Sequence, residues 1–174
     1  MRSRPFKGRL KLSYSRTSLV VLFWVLFVSG AFASRDDVCE SDPLPEAAEQ
    51  ALKAKFPGMY FEKPSDLSKE YRTQWFEKHE EECPGLASGH FVSTAKKSYA
   101  VLLVGSKGAL SGAKVVVIVE SGGNWKPILV SDERMSYYYQ AIFKVLHKGG
   151  LDGVGVITFD QGTKVYRYAN GRFH

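Results

Sequence analysis

Long apolar runs, cysteines and recognisable ligand spacings are all scarce in this chain of 174 residues, and each scarcity narrows its chemistry. The longest apolar run, Leu19 to Val28, is about half the length a bilayer-spanning helix needs, roughly twenty residues. The four histidines, His79, His90, His147 and His174, form no His-x₃-His or Glu-x₂-His pair, so no metal centre is expected. Ser111, Ser121 and Ser131 sit in no Gly-x-Ser-x-Gly elbow. The glycine-rich stretches Gly105 to Gly108 and Gly149 to Gly155 lack the strand-to-helix context of a phosphate or dinucleotide loop, so they read as turns and no cofactor is expected. No internal repeat and no low-complexity segment is present.

What is present begins with a targeting pattern. Met1 to Thr17 carries six basic residues and no acid, Ser18 to Val28 is apolar, and Ala31-Phe32-Ala33 is a small-x-small site. This order is that of a secretory signal peptide, so residues 1–33 are expected to be cleaved and 34–174 to form one domain, periplasmic or extracellular. The formal charge of +6 equals those six basic residues, which leaves 18 Lys and Arg against 18 Asp and Glu. A neutral domain has no global field for phosphate backbones, which argues against nucleic-acid binding. The charges are still segregated: Arg35 to Cys83 holds thirteen acids and seven bases, and Pro84 to His174 five acids and eleven bases. Cys39 and Cys83 are the only cysteines, an even number in a chain expected to be exported, and a disulfide follows.

The fold expected is α+β, two N-terminal helices packed on a meandering antiparallel sheet. Asp42-Pro43 has the chemistry of a helix start, and Leu44, Ala47, Ala48, Ala51, Leu52 and Phe56 make one apolar face that Pro57-Gly58 ends. A short extended piece, Met59 to Glu62, precedes a second helix from Ser65–Ser68 to about Glu81, with Leu67, Tyr71, Trp75 and His79 on one stripe. The acids Glu80 to Glu82 then oppose that helix's dipole. From Leu86 the period is that of strands. Tyr99 to Val104 and Lys114 to Glu120 are the most β-prone runs, and Val115 to Val119 is apolar on both faces, as in a central strand. Trp125 to Ser131 returns beside it, at an edge because of Pro127. A strand is expected near Gln140–His147, although its apolar spacing also suits a helix, and Val154–Phe159 with Lys164–Tyr168 form a hairpin.

Two short segments resemble known families. Gly89-His90-Phe91 followed by Ser98-Tyr99-Ala100-Val101-Leu102 resembles one FG-GAP or VCBS-type unit, which implies a strand–turn–strand shape. The intervening Val92 to Lys97 has no carboxylate, so the calcium of that family is not implied. Thr158-x-Asp160-x-Gly162 resembles the start of a sialidase-type Asp box without its closing aromatic. In outline the chain is similar to small exported single-domain proteins of bacteria.

With no catalytic signature, the expected role is binding without catalysis, to a protein or an envelope component, as in an inhibitor or immunity-type protein. Trp125, Tyr137, Tyr138 and Tyr139 are the candidate contact residues, since aromatic rings anchor interfaces. The alternative is a hydrolase of an envelope polymer, using a carboxylate pair such as Glu120 with Asp132 or Asp160.

Overall fold

The computed structural model describes residues 35–105, 112–133 and 140–174, all within the unit Ser34–His174. The expected signal peptide and Tyr137 to Tyr139 lie outside the described residues. An α+β architecture is observed, but its strands do not form one meander.

The first sheet has β3 (Ser98–Gly105) and β4 (Ala113–Ser121) at its centre and β5 (Asn124–Glu133) at one edge. On the other side of β3, two short strands lie end to end: β1 (Met59–Phe61) against Leu103–Gly105 and β2 (Leu86–Gly89) against Ser98–Val101. The central position expected for Val115 to Val119 is observed. Val115 and Val117 enter one core, and Val116 and Ile118 enter another on the opposite face, as the two-residue period of a strand requires. Pro127 lies opposite Ile118 on the edge strand, where its missing N–H costs no ladder bond. At Val130 the register shifts by one residue, a β-bulge between the Val115 and Val116 pairings.

One face of this sheet is covered by α1 (Glu46–Lys55), by the 3₁₀ turn Arg35–Glu40 and by the disulfide Cys39–Cys83. The other face packs on a second antiparallel sheet of β6 (Gln140–Val145), β7 (Gly153–Thr158) and β8 (Gly162–Tyr166). Phe91, Leu102, Val117, Ile142 and Val156 fill the space between the sheets. Ile142 N–H donates to Pro84 O at 2.8 Å and Asp152 N–H to His90 O at 3.1 Å, so backbone bonds also join the two halves, and the Asp152 carboxylate accepts from His90 N–H at 2.9 Å. α2 (Lys69–Phe76) packs on the second sheet through Trp75, which with Leu67, just ahead of the helix, forms a core with Ala141 and Phe159. A two-stranded ribbon, β9 (Tyr168–Ala169) and β10 (Arg172–Phe173), turns at Asn170-Gly171 and closes the chain.

The departures from expectation have local causes. Helix α1 begins at Glu46 after Pro45, not at Asp42. The Asp42 carboxylate is taken by Lys97 Nζ, 2.8 Å from both oxygens. Ser68 Oγ does cap α2 by accepting from Tyr71 N–H, but this helix ends at Phe76. The Trp75 indole then donates to Glu82 O at 2.9 Å, which folds the following turn back. Glu80 to Glu82 therefore lie beyond the helix and do not oppose its dipole. Segment 140–145 is a strand, as expected. The strand–loop–strand shape over 86–105 is also present, and Ser98 Oγ pins its loop by donating to Gly89 O and accepting from Phe91 N–H. Asp160 and Gly162, with φ of 64° and 114°, make an ordinary hairpin turn.

Candidate functional site

Three concavities among the described residues can each be traced to a feature of the chain. The first lies beside the disulfide, about 160 Å³, where Asp42, Ser88 and Lys144 converge. Burial pushes the Asp42 carboxyl up. The hydrogen bonds from Lys97 and Ser88 and the charges of Lys97 and Lys144 outweigh that effect and hold it below its ordinary value. The recess thus holds an Asp42 already paired with Lys97, with Glu81 and Glu82 also on its lining. It is also too small for most ligands.

The second is a cleft of about 220 Å³ between α2 and the β7–β8 turn, lined by Trp75, Lys78, His79, Phe159, Asp160 and Thr163. His79 stacks on Trp75 with ring centroids 4.1 Å apart and meets Phe143 at 5.0 Å. Its Nδ1 lies 2.9 Å from Glu82 Oε2. A carboxylate only accepts, so this nitrogen carries the proton. Opposite, Asp160 accepts a 2.6 Å bond from the Tyr71 hydroxyl. Phe143 reaches His79 because its cross-strand neighbour is Gly155, where a Cβ would sit 2.4 Å from the Phe143 ring.

The third is the largest, about 340 Å³, between α1 and β1. Its apolar wall and floor are Leu44, Leu52, Met59, Phe61, Val101 and Leu103. Val101 and Leu103 point from β3 toward α1, and Leu52 comes down from the helix. Farther along, β4 and β5 continue the sheet under α1, but on this side the sheet stops at the three residues of β1. Proline and glycine punctuate the chain on both sides of β1, so no longer strand can form to cover the gap. The mouth carries Glu49, Lys53 and Lys63, of which Lys53 and Glu49 pair at 2.6 Å. The Lys63 ammonium sits 5.7 Å over the Phe61 ring and has no carboxylate partner among the described residues. Ligand pockets usually span about 300–1,000 Å³ and are mainly apolar with a few placed polar groups. Of the three concavities, only this slot meets that description.

The expected contact residues fare differently. Trp125 is half-buried at the far end of the same face, its ring 6.0 Å from Tyr99, so it completes the core under α1. Glu120 and Asp132 are not a pair. Asp132 lies opposite Lys114 and ion-pairs with it, six residues along β4 from Glu120, a separation of roughly 20 Å at strand rise. Asp160 lies on the other sheet's hairpin, bonded to Tyr71.

Residue-level reasoning assigned the slot residues to core faces and did not single out Glu62. This side chain is fully buried, and neither carboxylate oxygen has a hydrogen-bond partner. Its backbone N–H bonds Leu102 O, while Leu102 N–H bonds Gly85 O, so Glu62 fills the junction between β1 and β2. Burial, with a smaller contribution from Asp66, raises its carboxyl well above the ordinary 4.5. The available signal was the alternation Met59, Phe61 against Tyr60, Glu62, which sends the acid to the face between the sheets.

No family model, no curated protein and no solved structure matches the chain.

Proposed function

We propose that the protein is an exported, non-catalytic binding domain whose ligand is an envelope component carrying an apolar group, held in the slot between α1 and β1. The observation that carries this reading is the slot itself: an open apolar volume of about 340 Å³ floored by core residues. Leaving such surface uncovered costs about 25 cal/mol per Å², and an apolar guest recovers that energy. Export is supported by the basic–apolar–small order of residues 1–33 and by the Cys39–Cys83 bridge. Among the described residues no helix is long and apolar enough to cross a membrane.

The test is titration of the purified, disulfide-intact protein with a neutral naphthylamine fluorophore that brightens in apolar surroundings. Saturable one-to-one binding is expected. Leu44→Trp, which fills the mouth from a half-buried position ahead of α1, is expected to weaken binding at least tenfold. Equal binding by the parent and the Leu44→Trp variant rejects the slot.

The hydrolase reading keeps one specific support, the His79–Glu82 pair facing Asp160 across the second cleft. Release of fragments from envelope polymer by the parent, abolished in His79→Gln, would favour it over the binding reading.

A further inference from the structure

Resting on the slot as a binding site, we infer that its ligand is a monoanionic, single-chain amphiphile, a free medium-chain carboxylate, with the chain in the slot and the head on Lys63. The wall and floor formed by Leu44, Leu52, Met59, Phe61, Val101 and Leu103 offer no side-chain hydrogen-bond partner, and Tyr60, Glu49, Lys53 and Lys63 supply the polar groups of the lining, so a ligand body seated on that floor is apolar. The volume sets the chain length. A cavity of roughly 150 Å³ holds a six-carbon ring, so about 340 Å³ holds at most on the order of fourteen carbons, enough for a ten- to twelve-carbon chain. The polar groups at the mouth set the charge of the head. Glu49 and Lys53 neutralise each other at 2.6 Å, which leaves Lys63 as the lining charge whose side chain makes no ion pair among the described residues. Its ammonium is held at the mouth by the Phe61 ring, 5.7 Å away, and Phe61 is itself a wall of the slot. Chain wall and cation are therefore adjacent side chains of one segment. A carboxylate head seated there gains a charge-assisted bond without removing Lys63 from water. A cationic head would meet Lys63 directly, and a diacyl lipid would bring a second chain that the slot has no volume to take.

The experiment is calorimetric titration of the purified protein with decanoate, decanol and decyltrimethylammonium, each below its aggregation concentration, repeated on Lys63→Gln. Lys63 is exposed, so this variant is expected to keep the parent's melting temperature. The inference expects decanoate to bind one-to-one and about tenfold more tightly than decanol. Lys63→Gln should remove that difference and leave decanol binding unchanged. Equal binding of decanoate and decanol by the parent, or tightest binding of the ammonium, overturns the anionic ligand while the slot reading stands. Binding of none of the three, together with no fluorophore binding, overturns both.

Discussion

Glu62 and Asp42 show how burial and partners move carboxyl groups in opposite directions, with opposite consequences for stability. Glu62 is buried without a hydrogen-bond partner, and its carboxyl is raised well above 4.5. In the unfolded chain it loses its proton near 4.3. Between these two points the native state binds more protons, so stability is greatest below about pH 4.3 and falls as pH rises through the folded value. Glu62→Gln, neutral at every pH, is expected to abolish that decline. At pH 8 it should be more stable than the parent, by about 1.4 kcal/mol for each pH unit over which the parent's folded state alone keeps the proton, since both side chains are buried without a partner and only the parent's titrates. Urea unfolding at pH 5 and pH 8 measures this. A parent whose stability does not change between those values would contradict the assignment. For Asp42 the sign reverses. Its carboxyl is held down through Lys97, Ser88 and Lys144, so its contribution is present above about pH 3.9, the unfolded value, and is lost as pH falls through the lower folded value. The pair is half exposed, and Lys97→Met is expected to cost no more than about 1 kcal/mol at pH 7.

Elements whose own pattern decides them were legible in the sequence. The double-sided apolar run of β4 and the Pro127 edge follow from local chemistry, and the structure has them. The expected hairpin turn at 160–163 is also present but falls at 159–161, because Gly162 and Thr163 already pair in β8. Elements decided by distant partners were not legible. Asp42 has the composition of a helix cap, but Lys97, 55 residues away, takes its carboxylate. The division into two sheets depends on packing between β3–β4 and β6–β7 that no local period encodes. The slot is a negative feature, the absence of a strand beyond β1 among the described residues, and only its bracketing Pro57-Gly58 and Pro64 hint at it. Gly85 tests how the β1–β2 junction is built. A Cβ there would fall 1.9 Å from the Glu62 carbonyl oxygen, so the two backbones must touch. Gly85→Ala is expected to destabilise by about 3 kcal/mol or more, because the clash is with backbone and no rotamer relieves it. A loss below about 0.5 kcal/mol in denaturant melts would show that the junction is loose.

At the scale of the whole molecule, the disulfide and the slot share one face. Cys39–Cys83 ties the segment ahead of α1 to the turn after α2 across 44 residues of sequence. Closing a loop of that length stabilises by about 4 kcal/mol on chain entropy, so reduction is expected to lower the unfolding free energy by about that amount. Leu52 and the bridge belong to the same core cluster, and reduction should loosen α1 and weaken slot binding. The segregated charges, acidic before Pro84 and basic after it, meet across the fold in Asp42–Lys97, which makes part of this asymmetry internal. Methyl-resolved NMR of the protein titrated with decanoate locates the binding site proposed between α1 and β1. Saturable shifts are expected at the methyls of Leu44, Leu52, Met59, Val101 and Leu103, with Ile157 and Thr163 of the second cleft unmoved. Shifts that centre on Ile157 and Thr163, or no saturable shift at any methyl, would contradict it.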